Sequence, residues 1–457
     1  MSLENIHNVY FIGIGGIGMS ALARWFKTNG YGVGGYDRTP TSLTEQLEEE
    51  GMDIHFEDDI TRIAEEFKNL HNTLVVYTPA VPNDLNELAY FTNNGFSVKK
   101  RSEVLGMITE NFFTIAVAGT HGKTTTSSMI AHLLKSAGKN CFAFLGGITQ
   151  NYNTNLLLGD PSLGEQLMVV EADEYDRSFL TLSPDIAVIN SMDADHLDIY
   201  GAHEEVEKSF NEFVRNLKPV GKLIYKGGLP VAAPLPGQTF FCFGSEVCAY
   251  RAANIHIENE EFVFDIETTF EIVKNVRIQV PGFHNVQNAL AAFAVTRQLG
   301  IPASKIKEGL SSFKGVKRRF EYIINRKDFV YIDDYAHHPE EIKAFLSSVK
   351  AIYPDKKITA VFQPHLFSRT RDFMDGFAKS LSMADKLILM EIYPARELPI
   401  EGITSTVLLD KVTSKEKILA SKGNLLKEIR ETKTDVLVTI GAGDIDKFVK
   451  PIKEIYS

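Results

Sequence analysis

The chain has 457 residues, 44% of them hydrophobic and 23% charged, and its 48 basic and 59 acidic residues give a formal net charge of −11. A single core stops growing near roughly 250–300 residues, so this globular composition predicts about three domains. The acidic balance argues against a general nucleic-acid binder, which would carry a basic surplus. No apolar stretch approaches the roughly 20 residues of a membrane span and no signal-peptide pattern opens the chain, so we expect a cytoplasmic protein without membrane contact.

The first segment, residues 1–110, alternates strand and helix patterns. Apolar runs predict strands at 9–14, 31–36 and 74–78, and helical spacing predicts a helix over 19–29. Strands that alternate with helices imply a parallel, doubly wound α/β sheet.

A glycine turn joins the first predicted strand to the first predicted helix. Residues 13–18 fit the pattern G-x-G-x-x-G, and Asp37 ends the next strand. Such glycines let a diphosphate approach the backbone at a helix N-terminus. On this motif alone a nicotinamide or flavin dinucleotide, another nucleotide diphosphate and a purely structural turn all remain open.

The second segment, residues 111–315, continues the α/β pattern with predicted strands at 113–118, 166–170 and 186–190. Short strands and turns over 222–280 predict an antiparallel appendage, and an alanine-rich helix is predicted over 288–299. The stretch 282–288 before it is typical of an N-capped helix start.

A second glycine-rich turn, GTHGKTTT at 119–126, lies between a predicted strand and a predicted helix. It resembles a P-loop in which Val117 stands where the first glycine would be. Backbone amides would cradle phosphates, Lys123 would reach the β and γ oxygens, and the Thr124 hydroxyl would bind Mg²⁺. The alternative is an ordinary turn with a solvated lysine. Two phosphate-binding turns favour an ATP-driven enzyme acting on a nucleotide diphosphate conjugate over a dehydrogenase.

Two acidic clusters, at 171–176 and 193–198, follow predicted strands of the second segment. Carboxylates at the carboxyl end of a strand are well placed to hold Mg²⁺ beside a P-loop, whereas a solvated acidic loop is the alternative for either cluster. A zinc site is not supported, because no cysteine or second histidine lies near His196. The three cysteines, Cys141, Cys242 and Cys248, form no CxxC pair, and we expect them to be reduced.

The third segment, residues 316–457, has predicted strands at 330–334, 358–362, 386–390 and 436–440, a third α/β unit. The basic stretch 317–320 before them is a hinge or a phosphate clamp. The stretches 333–339 and 363–371 each follow a strand and are rich in charged groups and imidazoles, which favours a site over capping and surface groups. We expect adjacent strand ends to bring Arg369 or Arg371 towards His337, where an arginine could hold a carboxylate.

Together these residues resemble the Mur ligase family of peptidoglycan synthesis over the whole chain. GTHGKTTT at 119–126 and EADEYD at 171–176 are shared with its muropeptide-recycling branch. The stretches most similar to the branch that adds L-alanine to UDP-N-acetylmuramate are GIGGIGMS at 13–20, DDYAHHP at 333–339, FQPHLFSRTR at 362–371 and GAGD at 441–444.

The resemblance implies an α/β fold of three domains. These are a Rossmann-like domain over 1–110 that binds the UDP-sugar, a central P-loop ATPase domain over 111–315 with a parallel sheet plus a small antiparallel sheet, and a Rossmann-like C-terminal domain over 316–457 on the amino-acid side. It implies ATP and Mg²⁺ as cofactors and UDP-N-acetylmuramate and L-alanine as substrates. A cytoplasmic monomer or weak homodimer that binds no nucleic acid is expected.

The motifs and the resemblance together predict roles for single residues. The metal ligands would be Thr124, Glu171 and His196. The catalytic residues would be Lys123, Glu171, His196, His337 and Arg369. The ATP-binding residues would be Gly119, Thr120, His121, Gly122, Lys123, Thr124, Thr125, His284, Asn285, Asn288, Arg319 and Asp334. The substrate-binding residues would be Gly15, Gly16, Gly18, Asp37, Tyr335, His337, Arg369 and Arg371.

The expected reaction passes through an acyl phosphate, because a carboxylate is a poor electrophile until one of its oxygens becomes a good leaving group. Arg369 would pair with the alanine carboxylate, and His337 would orient its ammonium or accept a proton from it. Several family members carry a carbamoylated lysine, but the sequence does not assign that role to Lys208. A nicotinamide-dependent oxidoreductase and a non-catalytic nucleotide-binding regulator are the alternatives.

Overall fold

The computed structural model describes residues 5–82, 84–193, 197–395 and 397–457, with the backbone alone at 197–198. By its internal packing the chain divides into two units. The first comprises Met1–Arg251 and Leu290–Gly309, and the second comprises Ala252–Ala289 and Leu310–Ser457. Within the described residues no helix is long and apolar enough to cross a bilayer.

A parallel five-stranded sheet opens the first unit. Its strands are β1 (Asn8–Ile12), β2 (Gly32–Tyr36), β3 (Asp53–His55), β4 (Thr73–Tyr77) and β5 (Ser97–Lys100), with the helices α1 (Ile17–Thr28), α2 (Ser42–Glu49), α3 (Asn86–Asn93) and α4 (Arg101–Thr109). The strand order is β3-β2-β1-β4-β5, and every pairing is parallel. The order reverses between β1 and β4, which places the ligand crevice of such a sheet beside the glycine turn after β1. The doubly wound prediction is confirmed.

A second sheet continues the first unit. Its strands are β6 (Phe113–Ala118), β7 (Cys141–Thr149), β8 (Thr154–Leu157), β9 (Leu167–Glu171), β10 (Ile186–Ile189), β11 (Lys222–Lys226) and β12 (Thr239–Phe243). They lie in the order β12-β11-β10-β6-β9-β7-β8, parallel except for the β7–β8 pair. The helices among them are α5 (Lys123–Ser136), α6 (Leu197–Tyr200) and α7 (His203–Arg215).

Helix α1 of the first sheet also packs against β7 and β8. The Arg24 guanidinium donates to Asn155 Oδ1 at 2.6 Å, and the Asn155 amide donates to the Ile17 carbonyl at 2.6 Å. Arg24 and Asn155 are buried, so these bonds are shielded from water. They fix the helix that begins at the first glycine turn against the sheet that carries the second one.

The region 222–280 differs in part from its prediction as an antiparallel appendage. Strands β11 and β12 pair in parallel with β10 and with each other and so extend the main sheet. Three further strands follow, β13 (Tyr250–Glu258), β14 (Glu261–Thr268) and β15 (Ile272–Ile278), and β14 and β15 form an antiparallel hairpin. The helices α8 (Phe283–Gln298) and α9 (Ala303–Ser312) come next. Helix α8 begins five residues before its predicted start, and the Asn285 side-chain amide in its first turn donates to the Pro281 carbonyl at 2.8 Å.

The third sheet belongs to the second unit. Its strands are β16 (Glu321–Asn325), β17 (Val330–Asp334), β18 (Ile358–Phe362), β19 (Lys386–Met390), β20 (Glu416–Ala420) and β21 (Val436–Ile440). Its helices are α10 (Pro339–Ile352), α11 (Phe367–Asp372), α12 (Met374–Leu381), α13 (Ser405–Lys411), α14 (Leu425–Arg430) and α15 (Val449–Tyr456). Four of these strands have their predicted bounds, and the predicted α/β class is confirmed.

The order of the third sheet is β16-β17-β21-β18-β19-β20, with β16 antiparallel at its edge. The expectation that the strands before His337 and Arg369 are adjacent is therefore wrong. Strand β21, the last in sequence, pairs with both β17 and β18 and lies between them. Strand periodicity shows that a segment is buried but gives no order within the sheet, so this insertion was not foreseeable.

The cysteines also differ from expectation. Cys242 and Cys248 form a disulfide, with their Cα atoms 5.0 Å apart, and Cys141 is a buried free thiol. The short connection folds back so that Phe243 pairs with Tyr250, which brings the two cysteines together. Their spacing matches no motif, so the sequence did not predict this proximity.

Candidate active site

The first glycine turn lies between β1 and α1. Gly13 has φ +87°, and Gly16 caps α1 in an extended conformation. The Gly15 amide donates to Asp37 Oδ2 at 2.8 Å, and a Cβ at Gly15 would lie at the same distance from that oxygen. A carboxylate thus binds the backbone amide that the sequence analysis assigned to a phosphate.

Arg101 lies beside this turn, although the sequence analysis did not single it out. A Cβ at Gly18 would lie 2.7 Å from Arg101 Nη1, so the guanidinium lies directly against the turn and would have to shift for any larger residue. Arg101 begins α4, directly after β5, and its Nη2 lies 3.2 Å from Asp173 Oδ2. The run of Lys99, Lys100 and Arg101 at a strand end was the sequence signal that could have identified it.

The second glycine turn joins β6 to α5 and needs its glycines for two reasons. Gly119 has φ +137°, and a Cβ there would lie 3.0 Å from the Ser191 amide nitrogen. Gly122 caps α5 in the left-handed region, with φ +78°. Lys123 is the first residue of α5, followed by the buried Thr124 and Thr125, as a phosphate-binding turn requires.

Ser191, after β10, holds this turn in place. The His121 amide donates to Ser191 Oγ at 2.8 Å, and the Thr120 hydroxyl lies 2.9 Å from the same oxygen. The Asp193 amide donates to Thr120 Oγ1 at 3.0 Å, and His121 Nε2 lies 3.6 Å from Asp193 Oδ2. Ser191 was not predicted, because a serine after a strand carries no signal of its own. His196, a predicted metal ligand and catalytic residue, lies outside the described residues.

Lys123 is paired with Glu174. Its Nζ lies 2.8 Å from Glu174 Oε1 and 2.7 Å from Oε2, and it donates to the Gly119 carbonyl at 2.7 Å. Burial lowers the pKa of an ammonium, but the carboxylates of Glu174, Asp173 and Glu171 outweigh this effect and raise the pKa of Lys123. The lysine is therefore charged and held across its own turn.

Glu171 ends β9 and lies opposite Val117 in the register of β6 and β9. Its Oε2 accepts from the Gly146 amide at 3.1 Å. Together with the Thr124 hydroxyl it offers the hard oxygen ligands that Mg²⁺ takes beside phosphate and water. Within the described residues no group of three or more metal-binding side chains occurs, so these two are the described part of the proposed ligand set. Lys208 pairs with Glu205 at 3.6 Å, and its side chain is 62% exposed.

The predicted adenine-side residues lie in the second unit. The Asn288 amide donates to Asn285 Oδ1 at 2.9 Å, so this pair is ordered by its own hydrogen bond. Burial, aided by the positive charge of Arg319, lowers the pKa of His284 to about 4, so that its ring is neutral near pH 7. The Arg319 guanidinium lies 5.2 Å from the centre of the Tyr335 ring.

Asp334 is buried and holds the backbone of the second unit. Its Oδ2 accepts from the Phe320 amide at 2.7 Å and its Oδ1 from the Ala336 amide at 2.8 Å. Burial raises its pKa to about 6, against the opposing charge of Arg319 and these two hydrogen bonds. Next to it, Asp333 pairs with Arg318 at 2.9 Å, a contact that the sequence analysis did not assign.

His337 lies close to a second imidazole that follows β18. Its ring centre is 6.3 Å from that of His365, which in turn stacks on Tyr393 at 5.6 Å. Arg369 is 9% exposed, whereas Arg371 is exposed and pairs with the adjacent Asp372 at 2.7 Å. The loops after β17 and β18 thus meet although β21 separates the strands.

Known families and proteins match the chain along its full length. The model described as "Mur ligase family, catalytic domain" matches residues 8–113, "Mur ligase middle domain" matches 117–296, and "Mur ligase, glutamate ligase domain" matches 318–443. The chain belongs to the Mur ligase family.

Two curated relatives carry the name UDP-N-acetylmuramate–L-alanine ligase. The Cytophaga hutchinsonii protein is 55% identical over 99% of this chain and 97% of its own length, and the Flavobacterium johnsoniae protein is 52% identical over 100% and 99%. The solved structure of UDP-N-acetylmuramate-alanine ligase from Thermotoga maritima matches with a TM-score of 0.83 and 30% identity, over 98% of this chain and 99% of that one.

Proposed function

We propose that this protein is an ATP-dependent ligase that joins L-alanine to the carboxylate of UDP-N-acetylmuramate in peptidoglycan precursor synthesis, releasing ADP and phosphate. The observation that carries the proposal is the full-length similarity, at 52–55% identity, to ligases of that name. The two phosphate-binding turns agree with it, because one chain then binds both a sugar nucleotide and ATP.

The reaction needs two transfers. In the first, a muramyl carboxylate oxygen attacks the γ-phosphorus of ATP, the bond to the β-phosphate oxygen breaks, and ADP leaves. In the second, the alanine nitrogen, after losing a proton, attacks the carbonyl carbon of the acyl phosphate. The tetrahedral intermediate then expels inorganic phosphate and leaves the amide. Lys123 would neutralise charge on the phosphoryl group during the first transfer.

Bound Mg²⁺ would supply further positive charge at the phosphates, and Thr124, Glu171 and His196 are its proposed ligands. The ATP-binding role of residues 119–125 and the UDP-sugar role of Gly15, Gly16, Gly18 and Asp37 also belong to the proposal. Arg101 adds a cation beside the first turn.

For the amino-acid end we retain His337 and Arg369. Arg369 would pair with the alanine carboxylate, and the His337 imidazole would take the proton that the ammonium loses. The adenine-side residues would be His284, Asn285, Asn288, Arg319 and Asp334, and the second unit would also offer Tyr335 and Arg371 to substrate.

We further propose three domains at 1–110, 111–315 and 316–457 and a cytoplasmic monomer or weak homodimer that binds no nucleic acid or membrane.

One assay tests the function: release of phosphate from ATP in the presence of UDP-N-acetylmuramate and single amino acids. We expect release with L-alanine, ADP as the nucleotide product, and no release when the sugar nucleotide is omitted. Phosphate release without the sugar nucleotide, or AMP as product, would contradict the proposal. ATP binding with no turnover would indicate a regulator, and oxidation of NADH would indicate a dehydrogenase.

A further inference from the structure

A buried ion pair between Lys123 and Glu174 lies at the second glycine turn, residues 119–126. The Glu174 side chain is 1% exposed and the Lys123 side chain 15% exposed, and both carboxylate oxygens lie within 2.8 Å of Nζ. A carboxylate this deeply buried is tolerated only beside a positive charge, and removal of one partner is strongly destabilising. Lys123 is thus a charge partner of Glu174 and is also the group that the nucleotide phosphates need.

The segment that carries Glu174 is fixed from several sides. The Tyr200 hydroxyl donates to the Glu174 carbonyl at 2.6 Å. On one side of Glu174, Asp173 pairs with Arg101 at 3.2 Å, and on the other Asp176 pairs with Lys100 at 2.7 Å. Most of the acidic cluster is thus engaged by cations of the protein, and Glu174 cannot readily move into water when a phosphate arrives.

Glu174 and the triphosphate are two anions that compete for one ammonium. From this geometry we infer that Glu174 is a positioning residue, which holds Lys123 across the turn when the nucleotide is absent and yields it to the phosphates when the nucleotide binds. The inference rests on the proposed function in one respect, that ATP is the ligand of this turn.

The exchange has a consequence for metal dependence. Once Lys123 turns to the phosphates, the buried Glu174 carboxylate faces a highly negative triphosphate, and like charges in a poorly hydrated site repel strongly. A divalent cation on the phosphates would offset that repulsion. Glu174 should therefore oppose the binding of metal-free nucleotide more than that of the magnesium complex.

The first experiment measures ATP and ADP binding by calorimetry, in EDTA and in excess Mg²⁺, for the wild type and Glu174→Gln. We expect the variant to bind metal-free ATP about tenfold more tightly, a change of the size that one buried charge produces, with a smaller gain in Mg²⁺. Equal or weaker binding of metal-free ATP by the variant overturns the inference, because a merely structural glutamate would lower affinity. Glu205→Gln is the matched control, since it removes a carboxylate that pairs with Arg177 of the same segment at 3.4 Å.

A second experiment does not depend on nucleotide and applies even if Glu174→Gln folds poorly. Thermal unfolding is compared for Lys123→Met, Glu174→Gln and the double variant. Because each single change removes one charge of the buried pair and leaves the other in place, we expect the double variant to unfold at a higher temperature than either single variant. Simple addition of the two losses would overturn the inference. Both experiments omit the sugar nucleotide and alanine. Their results therefore test the role of Glu174 separately from the ligase activity, and either proposal can fail while the other holds.

Discussion

The two glycine turns of the first unit share a strand–turn–helix plan but treat charge in opposite ways. The first turn has no cation of its own and receives one from Arg101, at the start of α4. The second has its cation built in, as Lys123 at the start of α5. The first turn is thus suited to an anionic ligand that pairs with a cation from a different helix. The second is suited to a phosphoryl group that lies close to an ammonium of the turn itself.

A protein carboxylate lies against each turn, but on a different partner. Asp37 accepts from the backbone amide of Gly15 and is half-buried, so water can replace that bond when a ligand displaces it. Glu174 is held on the Lys123 side chain and is buried. Displacing Asp37 should therefore cost little, whereas displacing Glu174 requires a countercharge.

The largest effect is expected from Lys123→Ala, which removes the cation of the second turn only. ATP-dependent amide formation should fall by about 10²–10³-fold, the size of the loss when one group that stabilises transition-state charge is removed. Binding of UDP-N-acetylmuramate, measured by calorimetry without ATP, should be unchanged. Lys135→Ala is the control, because Lys135 lies in the last turn of the same helix and donates to the Leu158 carbonyl. An equal loss in sugar-nucleotide binding would show that the two turns are not independent.

Arg101→Ala should give the complementary result at the first turn. The dissociation constant of UDP-N-acetylmuramate should rise about tenfold or more, because a hydrogen bond to a charged group contributes roughly 1.5–3 kcal/mol. The dissociation constant of ATP should change less. Arg62→Ala serves as control, since Arg62 is exposed and pairs with Glu57 at 2.9 Å. An unchanged affinity for the sugar nucleotide would remove Arg101 from the site.

The same contrast shows what sequence can predict. Both turns were found from glycine spacing and flanking strands, because backbone approach to a phosphate needs glycine at fixed positions. Arg101 was not singled out, and Glu174 was predicted only within the acidic cluster 171–176 as a candidate Mg²⁺ site, not as the partner of Lys123. Each acts on a turn far away in sequence: Arg101 is 83 residues from Gly18, and Glu174 is 51 residues from Lys123. Local patterns do not encode such pairs.

The third sheet teaches the same lesson about topology. The bounds of β17, β18, β19 and β21 followed from apolar runs, but their order did not. Each of these strands is buried on both faces. Its hydrophobic pattern therefore does not indicate which of the other strands lies beside it in the sheet. The meeting of His337 and His365 depends on loop paths around β21 and was not predicted, since the expectation was that Arg369 or Arg371 would approach His337 from an adjacent strand.

A smaller effect separates the two capping glycines. Gly122 has φ +78°, whereas Gly16 has φ −65° and ordinary contact distances to its neighbours. Gly122→Ala should destabilise the protein by about 1 kcal/mol and lower the melting temperature by about 2–4 °C, because alanine is strained in the left-handed region. Gly16→Ala should leave it nearly unchanged. Thermal unfolding of the two variants without ligand measures the difference, and equal shifts would contradict the argument.

The smallest expected effect concerns the carboxyl that lies behind the first turn. Tyr10 donates to Glu87 Oε2 at 2.6 Å, and burial raises the pKa of Glu87 to about 7. Because the folded state then holds this proton between the ordinary pKa near 4.5 and 7, its contribution to stability falls as the pH rises through that window. Glu87→Gln has no proton to lose, so its melting temperature relative to wild type should rise by about 2–3 °C between pH 6.5 and pH 8, where the linked free energy changes by about 0.8 kcal/mol. Asp160→Asn is a matched control, because Asp160 caps a turn beside the second sheet and its pKa is lowered by hydrogen bonds from Ser162 rather than raised. A difference between Glu87→Gln and wild type that does not depend on pH would mean that the carboxyl is ionised throughout, and the first sheet would then carry a buried charge as the second one does.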